Sequence, residues 1–112
     1  MSANKRAGAR FEQQVADYLA AHGHPYAERR HVRGSRDRGD LSGIPGWVLE
    51  LKATRELDVA GAVDEAAKEA GNAGTRWYAA ILKRRRKPIA EAYVVLPLRL
   101  FAELLREDGE TP

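Results

Sequence analysis

Apolar residues Phe11, Val15, Tyr18 and Leu19 recur at helical spacing and predict an amphipathic helix from about Gly8 to Ala21, stopped by His22-Gly23 and Pro25. Residues 1–7 ahead of it read as a loose basic arm. Residues 26–33 hold too many charges for a central strand and read as an edge strand or extended segment, followed by a flexible polar loop over 34–39. Trp47 to Lys52 is an apolar run interrupted by Glu50 and Lys52. Asp58 then caps a helix whose apolar positions are Val59, Val63, Ala66, Ala67 and Ala70, ended by Gly71 and Gly74. Two continuously apolar runs follow, Trp77 to Leu82 and Ala92 to Leu96, as expected of strands covered on both faces. Pro97 opens a last helix carrying Leu100, Phe101, Leu104 and Leu105 to about Gly109, with 108–112 as a frayed tail.

The resulting order is α-β-β-β-α-β-β-α, an α/β fold. A strand, a crossover helix and a second strand imply a parallel pair, so the expected architecture is a mixed sheet flanked by helices. At 112 residues the chain is a single domain, 1–112, without repeats or an internal linker.

Charge adds a partner to this picture. The net charge is +3 and the pI about 9.4, but the distribution is uneven. Arg29, Arg30, Arg33, Arg36 and Arg38 crowd one stretch, and Lys83-Arg84-Arg85-Arg86-Lys87 is unbroken. Such clusters point to a polyanion, a nucleic acid, over a uniformly solvated surface or an anionic membrane patch. Without cysteine, disulfide frameworks and thiolate metal sites are excluded. No apolar leader or membrane-length run is present, so a cytoplasmic protein that does not insert in membranes is expected.

The candidate chemistry lies at Asp40, Glu50 and Lys52. In a strand Glu50 and Lys52 share a face while Trp47, Leu49 and Leu51 take the other. If the segment ending at Asp40 or Leu41 pairs antiparallel with that strand, the turn Ser42-Gly43-Ile44-Pro45-Gly46 brings a second carboxylate beside Glu50. Two clustered carboxylates suit Mg²⁺, with Mn²⁺ able to substitute. The bland alternative is an edge strand with a solvated Glu50–Lys52 pair. Competing chemistries have less behind them: His22 and His24 sit at a helix end with no further ligand at zinc spacing, and no G-x-S-x-G elbow, P-loop or dinucleotide fingerprint occurs. On the residues alone, Glu12 reads as a solvated charge at the positive end of the first helix.

Taken together, Gly8-x-x-Phe11-Glu12, Gly34-Ser35 ahead of Gly39-Asp40-Leu41, and Leu49-Glu50-Leu51-Lys52 resemble the PD-(D/E)xK nuclease superfamily, and within it the archaeal-type and phage-encoded Holliday junction resolvases. The resemblance spans about Gly8 to Leu105. It implies a restriction-endonuclease-like fold, a homodimer, and a Mg²⁺-dependent endonuclease that cuts four-way DNA junctions. It also implies roles: Asp40 and Glu50 as metal ligands with the Leu51 backbone carbonyl, Lys52 as the group that orients or activates water, and Glu12 as a further catalytic or metal-binding acid. Ser35 matches a loop serine. Gly39 stands where a proline often precedes the acid. The alternatives are an exonuclease or nicking nuclease without junction preference, and a DNA-binding or architectural protein that cuts nothing.

Overall fold

The computed structural model describes residues 3–30 and 38–109. Helix α1 (Ala3–Ala21) is followed by two short strands, β1 (Glu28–Arg29) and β2 (Leu41–Ser42), then by β3 (Trp47–Lys52), α2 (Val59–Ala73), β4 (Trp77–Leu82), β5 (Tyr93–Val95) and α3 (Leu98–Gly109), with one 3-10 turn at Ile89–Glu91. No helix among the described residues is long and apolar enough to cross a membrane.

The expected order is present, and β3-α2-β4 is the parallel crossover unit, with Trp47 opposite Trp77 and Lys52 opposite Leu82. Strand β5 adds antiparallel on the far side of β4, giving the mixed order β3-β4-β5. Crossover is favoured locally at both ends of α2. Asp58 accepts from the Gly61 amide, and Gly74 closes the helix in the left-handed region, where its amide reaches Ala70 and Gly71 carbonyls. The faces of the sheet then divide. Leu49, Leu51, Ala79 and Ile81 pack with Phe11, Val15 and Ala16 of α1, whereas Val48 and Tyr78 pack with Ala66 and Ala70 of α2 and with Leu100. Small side chains on α2, with Ala80 beneath, allow a helix to lie close on the strands.

Four expectations need correction. The first helix begins at Ala3, not Gly8, because residues 3–7 contain no breaker and the alanines and basic residues there are good helix formers. The segment after Asp40 pairs not with β3 but with β1, Arg29 opposite Leu41, so a separate two-stranded sheet stands beside the main one. Strand β5 is not covered on both faces: Tyr93 and Val94 are more than half exposed, since β5 ends the sheet. Among the described side chains of α3 only Leu100 is fully buried, while Leu98, Phe101 and Leu105 face outward.

Candidate active site

Asp40 reaches β3 without belonging to its ladder. Its backbone amide donates to the Leu49 carbonyl at 2.9 Å, and its Oδ2 accepts from the Leu51 amide at 2.7 Å. The preceding Gly39 makes this approach possible. Its φ is +97°, and a Cβ there would lie 3.0 Å from Val48 Cγ1 and 3.1 Å from the Leu49 carbonyl oxygen. Proline holds φ near −65° and cannot adopt that conformation. A proline at position 39 is therefore incompatible with the way this chain delivers Asp40 to β3.

Alternation along β3 puts Glu50 on the same face as Val48, the α2 face. There it meets two carboxylates that no motif in the sequence singles out, Glu65 and Glu69. One carboxylate oxygen from each of Glu50, Glu65 and Glu69 lies within 4.8 Å of the others. Glu50 is 5 % exposed and Glu69 3 %. Burial pushes the Glu50 carboxyl up to about 12, reinforced by the neighbouring Glu69, Asp40 and Glu65 carboxyls. A lone buried carboxylate in such company holds a proton unless a cation takes the proton's place. Glu50 Oε2 has no hydrogen-bond partner among the described residues.

Lys52 shares the face with Glu50 at the end of β3, and its Nζ is 2.9 Å from Glu65 Oε2. That bond raises the lysine pKa, with burial opposing it, and lowers the Glu65 carboxyl. Glu12, expected as a fourth member, lies on the α1 side of the sheet. Its Oε1 accepts from Arg29 Nε at 3.0 Å. Desolvation raises its pKa, the arginine hydrogen bond opposes this, and Asp40 adds a further upward push. Glu12 is thus within electrostatic reach of Asp40 but outside the three-carboxylate group.

The basic residues separate into distinct surroundings. At the carboxyl ends of the parallel strands β3 and β4, the Lys83 amide donates to the Lys52 carbonyl at 3.0 Å. This fixes the start of the basic run beside Lys52. An open groove of about 650 Å³ results, walled by Lys52, Arg55, Lys83, Arg85 and Arg86, and no acidic side chain is among its described walls. Arg84 and Lys87 turn aside to a smaller recess against Phe11 and Ile89, with the Arg84 guanidinium 4.5 Å from the Tyr93 ring centroid. Arg30 and Arg38 border a different hollow near Gly43 and Gly46. Ser35, Arg33 and Arg36 lie outside the described residues.

Three functional candidates carry no motif in the sequence. Arg55 has no cluster around it to mark it. Glu65 and Glu69 are visible there only as part of an acidic balance on α2, although Glu69 falls on the same stripe as the buried alanines Ala62, Ala66 and Ala70. An acid on the apolar stripe of a helix was the available signal.

The chain matches no family model, and no curated protein or solved structure is significantly similar to it.

The donor set fits a divalent cation. Asp40, Glu50, Glu65 and Glu69 offer carboxylate oxygens only, the hard ligands that Mg²⁺ and Mn²⁺ select, and Glu50 Oε2, a buried acceptor, has no hydrogen-bond partner among the described residues.

Proposed function

We propose that the protein is a divalent-metal-dependent DNA endonuclease that hydrolyses phosphodiester bonds in branched DNA, four-way junctions foremost, as a homodimer. The observation that carries the reading is the position of Lys52. It stands on the strand face that bears the buried Glu50 carboxyl, and it also walls the basic groove. A phosphate lying in that groove is held by Lys83, Arg85 and Arg86 and presented to the carboxylates beside Lys52. Backbone contacts of this kind recognise the shape and charge of the nucleic acid and carry no base sequence.

Asp40 and Glu50 are the residues to hold the metal. Bound there, a divalent cation supplies charge neutralisation at the phosphate and a lowered pKa for its water. Leu51 positions Asp40 through its amide. Lys52, once turned from Glu65 toward the groove, places a positive charge next to the phosphoryl oxygens, where negative charge grows during attack. Glu12 raises the negative potential at Asp40, and Arg29 moderates it. The junction substrate, the Mg²⁺ preference and the homodimer come from the resemblance to the resolvases.

The test is cleavage of end-labelled four-way junction, nicked duplex and linear duplex in Mg²⁺, Mn²⁺ or EDTA. Junction cutting is expected with either metal and none with EDTA. Asp40→Asn and Lys52→Ala are expected to bind the junction and to lose cleavage by about 100-fold or more. Cutting that survives both substitutions overturns the site assignment, and binding of every substrate without cleavage by the wild type makes the protein a DNA-binding module.

A further inference from the structure

Helix α2 contributes more than a cover for the sheet. Glu65 and Glu69 are one helical turn apart and so project from the same side, and that side rests on β3 where Glu50 arrives. We propose that Glu50, Glu65 and Glu69 form a second divalent-cation site, on the α2 side of Glu50, which takes a small hard ion of the Mg²⁺ or Mn²⁺ class and competes with Lys52 for Glu65.

The geometry is close to what such an ion needs. Metal–oxygen distances of about 2.0–2.2 Å put cis ligands roughly 3 Å apart and trans ligands a little over 4 Å. The three carboxylate oxygens, within 4.8 Å of one another, close on an ion by small side-chain rotations. Proximity of acids alone would not make a site. The independent sign is Glu50 itself, buried to 5 % exposure, in the cluster and with Oε2 lacking any hydrogen-bond partner among the described residues. A buried polar atom left that way is unfavourable, and a cation removes the defect.

The scaffold holds the ligands in place. Glu69 lies among Ala62, Ala66 and Ala70 on the buried stripe of a helix capped at both ends, and Glu50 lies in the interior of a six-residue strand. Glu65 is the adjustable member: its side chain is about half exposed and is bound to Lys52 at 2.9 Å. A doubly charged ion outcompetes a single ammonium for that carboxylate in a partly desolvated setting. Filling the site therefore releases Lys52, whose other neighbourhood is the groove. The ion load and the position of the lysine become linked.

The part played by this site in cleavage rests on the nuclease reading, but ion binding at α2 does not. Calorimetric titration of the full chain with MnCl₂, without DNA, tests it. Wild type is expected to bind two ions per chain, and Asp40→Asn to keep the one at α2. Glu65→Gln is expected to weaken that ion on the order of tenfold or more, and Glu69→Gln to abolish it. Should Glu69→Gln fail to fold by circular dichroism, the surface substitution Glu65→Gln carries the test. Wild-type binding of a single ion that Asp40→Asn removes, or Mn²⁺ affinity unchanged in Glu65→Gln, overturns the site. Two ions bound with the α2 ion sensitive to Glu65→Gln, in a protein that cuts no DNA, upholds the site and sinks the nuclease reading.

Discussion

Arg29 and Arg30, at the end of β1, and Lys83, Arg85 and Arg86, after β4, belong to stretches of similar composition with opposite fates. Arg29 is answered inside the molecule: Glu12, from a different element, takes its Nε at 3.0 Å. Arg30 is half-buried, its Nε enclosed without a partner among the described residues, and its backbone amide donates to the Asp40 carbonyl at 2.8 Å. The other three open on a groove without an acidic wall among the described residues. The difference teaches that composition alone does not separate a basic stretch enclosed by the fold from one whose charges line an open groove. It also separates two tasks, since one pair of arginines buttresses the strand that delivers Asp40 and the other set offers free charge.

The largest effect is expected from emptying the groove. Lys83→Ala/Arg85→Ala/Arg86→Ala should weaken junction binding on the order of 100-fold at moderate salt, and should lower the slope of log affinity against log salt by about one for each phosphate left without its cation. Arg29→Ala should change DNA affinity by no more than about threefold. Fluorescence anisotropy over a salt series measures both, and equal losses would erase the contrast between the two stretches.

Glu50 extends the comparison to carboxylates, because Glu12 has an arginine whereas Glu50 is surrounded by Asp40, Glu65 and Glu69, with Lys52 held by Glu65. Its folded pKa, about 12, lies far above the ordinary carboxyl value of 4.5. The folded chain therefore keeps a proton that the unfolded chain loses, and stability declines as pH rises from about 4.5 upward. Glu50→Gln holds a neutral side chain of the same shape at every pH. In EDTA its melting temperature should exceed that of wild type at pH 8 by several degrees, about 4 °C or more for each kcal/mol, and the gap should close toward pH 5. Identical melting curves at pH 8 would show that Glu50 is not held in this environment.

The Glu12–Arg29 pair should show its worth in stability. Its side chains are 22 % and 34 % exposed, so solvent screens it in part and Arg29→Ala is expected to destabilise by about 1 kcal/mol. A double-mutant cycle with Glu12→Gln, followed by urea denaturation, isolates the pair from the arginine's packing. A coupling energy of zero would move Arg29 to the same class as the groove cations.

Much of this was legible beforehand, for reasons specific to each element. The crossover helix α2 was visible because Asp58 and Gly74 are strong caps on either side of a clean period, and β4 because a continuous apolar run has few other fates. Register and edges were not legible. The partner of Leu41–Ser42 was decided by β1, a pairing of short polar segments with no pattern to announce it. The exposure of Tyr93 depends on which strand ends the sheet, and apolar spacing is blind to that. Alternation along β3 put Glu50 and Lys52 on one face, whereas Asp40 reaches β3 without the hairpin that the turn suggested. Glu65 and Glu69 needed the helix to be placed over β3, a tertiary fact.

Arg86 gives the smallest and sharpest test, because its charge and its backbone can be pulled apart. It is the one described non-glycine residue with positive φ, at 60°, a left-handed conformation that disfavours a residue bearing a Cβ by about 1–2 kcal/mol. Arg86→Gly removes that strain but adds roughly 0.5–1 kcal/mol of unfolded-state entropy. The two nearly cancel, so urea denaturation should place the variant within about 0.5 kcal/mol of wild type. The guanidinium is removed from the groove all the same, and the salt slope for DNA binding should fall by about one. Arg86→Ala keeps the strain and loses the same charge, so it should match the glycine variant in binding. If Arg86→Gly leaves the salt slope unchanged, residue 86 serves only the turn, and the free-charge side of the contrast shrinks to Lys83 and Arg85.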